Sequence, residues 1–178
     1  FESVTVHILA NGFTALSAAA EVCKRAGVEP MILSYSVRGE AREAAKTHVA
    51  IAEEVLTTGN PVEPPAAVLS SGETTVTIRG EGTGGPNQEF ALAAALELPD
   101  GVVLASVDTD GIDGPTEYAG ALVDETTATP TTEAHAALAT NDVTPFLRDR
   151  GDLVITGPTG TNVNDLRITL VTPGVFDC

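Results

Sequence analysis

Three aspartates follow an apolar run near the middle of the chain. Residues 102–107 read VVLASV, a pattern typical of a buried strand, and Asp108, Asp110 and Asp113 come directly after it. Because ligands of open α/β sheets bind beyond the carboxyl ends of strands, these carboxylates are candidates for contact with a ligand. Carboxylate oxygens suit Mg²⁺, and we expect one or two of the three to hold that ion. The alternative is an ordinary turn, in which Asp and Gly are common for backbone reasons alone.

Two glycine-rich stretches, residues 80–85 and 157–160, also follow predicted strands. The first matches the dinucleotide-binding pattern G-x-G-x-x-G, and backbone N–H groups at the start of the next helix would attract phosphate. The second lacks the lysine of a P-loop, but its Thr and Asn side chains can donate to a ligand oxygen. We predict that these loops and the aspartate loop share one polar rim that binds an anionic ligand. Taken singly, each loop is better explained as an ordinary turn, and only the three together favour a ligand site.

Apolar patterns predict strands that alternate with helices, which indicates a layered helix/sheet/helix α/β fold with a mostly parallel or mixed Rossmann-like sheet and a hairpin. Strands are predicted at residues 4–9, 30–35, 66–70, 73–78, 102–107, 118–123, 153–156 and 166–171, and helices at 14–26, 36–58, 88–98, 129–140 and 141–148. The first strand would bury His7, and a break at Gly72 would form the hairpin. Pro and Gly at residues 59–65 suggest an internal boundary, which leaves open whether residues 1–60 form a separate domain.

The chain of 178 residues has 25 acidic and 9 basic residues, and its net charge is −16. Because this field repels nucleic acid and anionic membrane surfaces, we expect neither as a partner. Hydrated carboxylates tolerate concentrated salt, which gives the hypothesis of a salt-loving source. The cysteines Cys23 and Cys178 form no disulfide framework, and no apolar run is long enough to span a membrane, so the expected location is the cytoplasm. The start at Phe1, just before a predicted strand, suggests a fragment of a longer protein.

Five blocks resemble signature segments of the C-terminal MOFRL region of class II glycerate kinases. In chain order they read VRGEARE at 37–43, SGETTVT at 71–77, GGPNQEFA at 84–91, DTDGIDGP at 108–115 and ITGPTGTNVND at 155–165. The resemblance implies ATP-dependent phosphorylation of D-glycerate at its 2-hydroxyl, with a divalent ion, in a cleft shared with an N-terminal Rossmann-like domain. Some family members carry the older label hydroxypyruvate reductase. A fragment without that N-terminal domain would be folded but inactive.

The resemblance also implies roles for individual residues. Substrate and phosphate positioning would fall to Glu73, Asn87, Gln88 and Glu89, with further binding contacts from Arg38, Thr74, Gly84 and Gly85. Asp108 and Asp110 would hold Mg²⁺, or one of them would orient the attacking hydroxyl, while Thr159, Asn162 and Asp165 would line the opposite lip. The family usually has arginine where this chain has Pro86, so Arg79 or Arg38 would have to take that role.

Two other functions stay open at this point. One is an NAD(P)-dependent hydroxypyruvate reductase that uses the loop at residues 80–85, because that loop matches the dinucleotide pattern. The other is a non-catalytic module that binds a ligand or another protein. The sequence leaves the strand order and the choice between a monomer and a homo-oligomer open.

Overall fold

The computed structural model describes residue 5 and residues 7–172 of the chain. Its helices are α1 (Gly12–Arg25), α2 (Ala41–Thr58), α3 (Pro86–Ala95), α4 (Thr131–Ala139) and α5 (Val143–Arg148). Its strands are β1 (Glu29–Glu40), β2 (Ala66–Thr75), β3 (Val102–Asp108), β4 (Gly120–Val123), β5 (Leu153–Val154) and β6 (Asp165–Val171). None of the helices in the described residues is both long enough and apolar enough to cross a lipid bilayer.

The six strands form one sheet in the order β1-β2-β6-β3-β4-β5. Strands β1 and β2 are parallel, whereas β2 with β6, β6 with β3, β3 with β4 and β4 with β5 are antiparallel. The predicted layered α/β class is therefore confirmed, and the sheet is of the mixed kind. Because β6 inserts between β2 and β3 from the end of the chain, the last strand lies beside the strand that carries the aspartates.

Consecutive residues of β2 point to opposite faces of the sheet, and because residues 66–69 are all apolar, both faces are buried here. Ala66 and Val68 pack in the larger core, which includes α2, α3, α4 and α5, while Ala67 and Leu69 pack against α1 around Leu16. Helix α3 is buried along its whole length after Pro86. Its side chains beyond the first turn are mostly alanine, which lets the helix lie close to the sheet and fixes the position of its N-terminal turn.

The predicted hairpin around Gly72 is wrong, because β2 continues through that residue to Thr75. Gly72 has φ +138°, and a Cβ built on it would lie 2.2 Å from the carbonyl oxygen of Val37 on β1. Glycine is therefore present to allow a close approach of two strands, and not to reverse the chain.

Two other predictions at the N-terminal end are also wrong. Residues 36–40 continue β1, and α2 begins only at Ala41, so Arg38 lies on a strand rather than at a helix start. Strand β1 is mostly exposed because it is the edge strand. Of the strand predicted at residues 4–9, Thr5 and residues 7–9 are not in a strand and His7 is exposed, while Val4 and Val6 lie outside the described residues, as does Cys178. Apolar alternation gives a strand only where a neighbouring strand pairs with it.

Candidate functional site

A small polar cavity lies where β2 and β3 end and β6 begins. Its volume is about 260 Å³. Asp108 at the end of β3 and Asp165 at the start of β6 are directly opposite each other in the antiparallel register. The residues that line the cavity are Glu73, Thr74, Pro86, Asn87, Asp108, Asp113, Gly114, Asn162, Asn164 and Asp165. Carboxylates and amides dominate this set, and no lysine or arginine belongs to it.

The aspartate loop touches both glycine-rich loops. The Asn162 side-chain amide donates to the Asp110 carboxylate over 3.0 Å, and the backbone N–H of Thr159 donates to the Asp110 carbonyl over 3.0 Å. On the other side, Gly85 lies against the carboxylate of Asp113. The first part of the glycine-rich loop at residues 80–85 does not contact the aspartate loop, because Gly80 packs on residue 140 and Gly82 on residue 142.

The N-terminus of α3 is occupied by the carboxylate of Asp113. The backbone N–H groups of Asn87 and Gln88 donate to its two oxygens over 3.0 and 2.9 Å, and the side-chain amides of the same two residues add bonds of 3.2 and 3.0 Å. A Cβ on Gly85 would lie 2.3 Å from the Asp113 Cγ. The place where a dinucleotide-binding loop would hold a pyrophosphate is therefore filled by the protein itself.

Asn87 connects the two sides of the cavity. Its amide nitrogen donates to Asp165 over 2.8 Å as well as to Asp113, and its amide oxygen accepts from the Ser106 hydroxyl over 2.7 Å. The side chain is 1% exposed. Because every hydrogen-bonding group of the amide is used, Asn87 holds the two aspartates in fixed positions.

Below the cavity lies a buried arginine that the sequence did not single out. Arg167 is fully buried, and its Nη2 donates to Asp165 over 2.5 Å and to the Thr74 hydroxyl over 2.9 Å, while its guanidinium lies 4.7 Å from the centre of the Phe90 ring. Residues 165–171 alternate polar and apolar side chains, which usually places the polar set in water. In this strand the polar side chains of Asp165, Arg167 and Thr169 are buried. The alternation alone therefore predicts the wrong face to be exposed to water.

Asp108 lines the cavity near the carboxylates of Asp110 and Asp165, although the described residues contain no group of three His, Cys, Asp or Glu side chains arranged to hold a metal ion. Partial burial raises the pKa of Asp108 to about 6, and repulsion from Asp110 and Asp165 adds to this, while the Asp110 backbone N–H works in the opposite direction. Burial likewise raises the pKa of Asp113, although the hydrogen bonds from α3 oppose that change. Crowded carboxylates of this kind are stabilised by a cation, and hard oxygen donors suit Mg²⁺.

Some of the predicted site residues lie outside the cavity. Gln88 donates to Asp113 and Thr116 and accepts from the Thr144 hydroxyl, and Glu89 pairs with Arg42 over 2.7 Å; both are buried. These two residues hold α3 against its neighbours. The other predicted residues that do not line this cavity are Gly84, Gly85, Asp110, Thr159 and Arg38; of these, Asp110 lines the neighbouring surface beside Asn162, and Arg38 lines a separate cavity. Those that do line it are Glu73, Thr74, Asn87, Asp108, Asn162 and Asp165.

Comparison with known proteins agrees with this architecture. Residues 66–165 match the model of the MOFRL family. The chain belongs to the MOFRL family. The matched segment runs from the start of β2 to the start of β6 and contains the three loops of the site, whereas the core residues contributed by α1 and α2 precede it.

Two related proteins are longer than this chain, which matches only part of each. The D-glycerate 2-kinase of Thermotoga maritima is 42% identical over 175 residues, which cover 95% of this chain and 42% of that protein. A protein of Agrobacterium vitis with the provisional name hydroxypyruvate reductase is 41% identical over 174 residues, which cover 93% and 40%. The crystal structure of the glycerate kinase of Thermotoga maritima superposes with a TM-score of 0.91 over 95% of this chain and 42% of its own, at 42% identity. The chain thus spans about two fifths of the length of these relatives.

Proposed function

We propose that the chain is the C-terminal portion of an ATP-dependent glycerate 2-kinase that converts D-glycerate to 2-phosphoglycerate. The observation that carries this proposal is the small cavity at the ends of β2 and β3, in which Asp108 and Asp165 face each other. Its size suits a three-carbon acid, and it lies in a family member 42% identical to a protein named D-glycerate 2-kinase. Phosphoryl transfer requires positioning and charge neutralisation more than covalent chemistry, and this cavity offers fixed polar groups for both.

The acidic lining requires a cation before an anionic substrate can enter. Asp108 and Asp110 would hold Mg²⁺, which characteristically binds through one or two carboxylates together with substrate phosphates. When bound, the ion would neutralise the charge that develops on the transferred phosphoryl group. The protein would supply only these carboxylates, because no group of three metal-binding side chains occurs among the described residues, and water and substrate phosphate would fill the other positions around the ion.

In the alternative arrangement, Asp110 would hold the ion and Asp108 would orient the 2-hydroxyl and accept its proton. A general base works best when its pKa lies near the operating pH, and the pKa of Asp108 is raised to about 6. Glu73, Asn87 and Asn162 line the same cavity and would orient the acid, while Asp165 is held in place by Arg167. These are the roles that the chain's own residues would perform.

A second domain would complete the site. Since the chain spans about two fifths of its relatives, we propose that an N-terminal domain closes the cavity from outside and supplies basic groups for the substrate carboxylate. On this proposal the 178-residue piece folds but does not turn over substrate by itself. A cytoplasmic location is part of the same proposal, since ATP and glycerate would both be drawn from metabolism.

The test is a coupled kinase assay on the full-length protein with D-glycerate, ATP and Mg²⁺. We expect activity in the wild type and a loss of about 10²-fold or more in Asp108→Asn. An asparagine amide can neither accept the proton of the hydroxyl nor bind Mg²⁺ as a carboxylate does. Asp110→Asn should also lose activity. The control is Asp149→Asn, which changes an exposed aspartate at the end of α5. An inactive wild type would refute the kinase, and full activity in both site variants would refute the assigned roles.

A reductase is the second candidate, because one relative carries that provisional name. The geometry of the glycine loop argues against it, since Asp113 fills the N-terminus of α3. A thermal-shift comparison separates the two functions. We expect ATP with Mg²⁺ to raise the melting temperature of the full-length protein and NADH to leave it unchanged; the reverse result favours the reductase, and no shift with either favours a non-catalytic module.

A further inference from the structure

A second and larger cavity adjoins the first. Its volume is about 590 Å³, and it lies between the N-terminus of α1 and the ends of β1 and β2. The two cavities share Glu73 and Asn164, so a molecule in one can reach a molecule in the other. The lining residues are Asn11, Gly12, Tyr35, Ser36, Val37, Arg38, Gly39, Gly72, Glu73, Thr75 and Asn164.

The second cavity contains one arginine, Arg38, and one carboxylate, Glu73, which stands on the side shared with the first cavity. Arg38 forms no ion pair with any residue that the structure describes. The 14-residue helix α1 begins at its wall with no acidic residue in the first turn. The Asn11 side chain caps the N–H of Thr14, which leaves the N–H groups of the two preceding helical residues for an external acceptor.

A buried hydroxyl at the same helix start lacks a partner. Ser71 is fully buried, and its Oγ makes no hydrogen bond among the described residues. A Cβ built on Gly12 would lie 2.5 Å from this Oγ, so the hydroxyl sits directly beside the first residue of α1. An unpaired buried hydroxyl is costly. Ser71 does not line the cavity itself, but Gly12 and Gly72 beside it do, so an oxyanion at the N-terminus of α1 would lie next to this hydroxyl.

One exposed aromatic side chain, Tyr35, lines the same cavity. It is 61% exposed, and it meets the half-exposed Phe13 of α1 edge to face with ring centroids 6.5 Å apart. Exposed aromatic faces of this kind are suited to stack a nucleobase. The cavity therefore combines a flat apolar wall with positive groups, and its volume lies in the range of ligand sites for cofactor-sized molecules.

We propose that the second cavity binds the nucleoside triphosphate that donates the phosphoryl group. The base stacks on Tyr35, the phosphates are held by Arg38 and the N-terminus of α1, and the terminal phosphate points past Glu73 and Asn164 into the first cavity. This proposal rests on the kinase function proposed above and adds the place of the donor. It also assigns the phosphate-binding role to Arg38 and not to Arg79, which lines a separate cavity beside α2 and α4.

The test measures nucleotide binding by titration calorimetry on the full-length protein, with a non-hydrolysable ATP analogue and Mg²⁺. We expect about tenfold weaker binding in Arg38→Ala, because a charge-assisted hydrogen bond to phosphate is lost, and weaker binding in Tyr35→Ala. Arg79→Ala is the matched control and should bind as the wild type does. All three substituted side chains are exposed, and melting temperatures check that each variant folds.

Steady-state kinetics then separate this proposal from the kinase function. In Arg38→Ala we expect KM for ATP to rise about tenfold with KM for D-glycerate unchanged. An active kinase in which Arg38→Ala changes only KM for glycerate, or in which Arg79→Ala weakens the nucleotide equally, would refute the donor subsite and leave the kinase standing. A wild type that neither binds the analogue nor phosphorylates glycerate would refute both.

Discussion

At the scale of single residues, the buried Arg167 supports the cavity although it does not line it. Its contacts to Asp165 and Thr74 support two residues that line the cavity. Its Nε and Nη1 have no partner among the described residues, so the arginine is only partly satisfied. A charge in such surroundings is retained where it fixes another charged group, and here that group is Asp165.

We therefore expect Arg167→Met to lower the free energy of unfolding by about 3–5 kcal/mol, because it leaves the Asp165 carboxylate buried without its counter-charge. The measurement is urea denaturation of the variant and the wild type. The double variant Asp165→Asn with Arg167→Met should recover part of the loss, since neither charge remains. Equal destabilisation in the single and double variants would show that packing on Phe90, and not the ion pair, is what Arg167 provides.

His48 gives a second prediction, on the pH dependence of stability. Its Nδ1 donates to the Ala44 carbonyl over 2.8 Å, and its Nε2 shares a hydrogen bond of 2.8 Å with the Ser70 hydroxyl. Burial lowers the pKa of His48, which Arg167 lowers further. Because the folded-state pKa is depressed, the stabilisation is present above the unfolded pKa of about 6.5 and is lost as pH falls through the folded value.

The measurement for His48 is the free energy of unfolding between pH 8 and pH 5, both about one to two units from that unfolded pKa. We expect His48→Gln to flatten the decline seen in the wild type at acid pH. His135→Gln is the control, because His135 is exposed on α4. A His48 variant that declines as steeply as the wild type would place the acid sensitivity in other groups.

The sequence predicted part of the site at this scale. Asp108 and the Asn side chains of the loop at residues 157–165 were identified because a carboxylate or amide after a strand is a recognisable signal, whereas Asn87 came from the resemblance to the MOFRL region. The sequence did not predict that Asp113 accepts hydrogen bonds from the start of α3, nor that Arg167 is buried. Loop and strand patterns do not say which neighbouring element a polar side chain contacts. Glu89 was assigned to the substrate, and the structure pairs it with Arg42 instead, a partner 47 positions away in the chain.

At the scale of elements, the contact between β1 and β2 depends on Gly72. The residue has φ +138°, and any side chain there would meet the backbone of Val37. Most element boundaries follow from local patterns and were close to those predicted, whereas Gly72 was interpreted as a break. Local pattern cannot distinguish a glycine that ends a strand from one that lets another strand approach.

We expect Gly72→Ala to destabilise the protein more than Gly27→Ala. Both glycines have positive φ, +138° and +77°, so both substitutions incur backbone strain of about 1–2 kcal/mol. Only Gly72 also meets close backbone atoms, since nothing lies within 4 Å of a Cβ on Gly27. Thermal melts of the two variants measure the difference, and equal melting temperatures would mean that β1 moves aside at little cost.

At the scale of the whole molecule, the net charge of −16 sets the response to salt. Repulsion between scattered carboxylates is screened as the Debye length falls from about 10 Å at 0.1 M to about 3 Å at 1 M. We expect the free energy of unfolding to rise with KCl over this range. Sucrose is the control, because it favours burial without screening charge. A protein that is most stable at low salt would contradict the salt-loving source.

The carboxylate of Asp113 at the start of α3 has one more consequence. A helix end that carries its own tethered anion is complete before any substrate arrives, so this wall of the cavity has the same shape in the empty and the loaded protein. If the proposed function is right, any movement that accompanies phosphoryl transfer would come from the opposite wall. A spectroscopic label on α3 of the full-length protein should then show no change when glycerate and ATP are added.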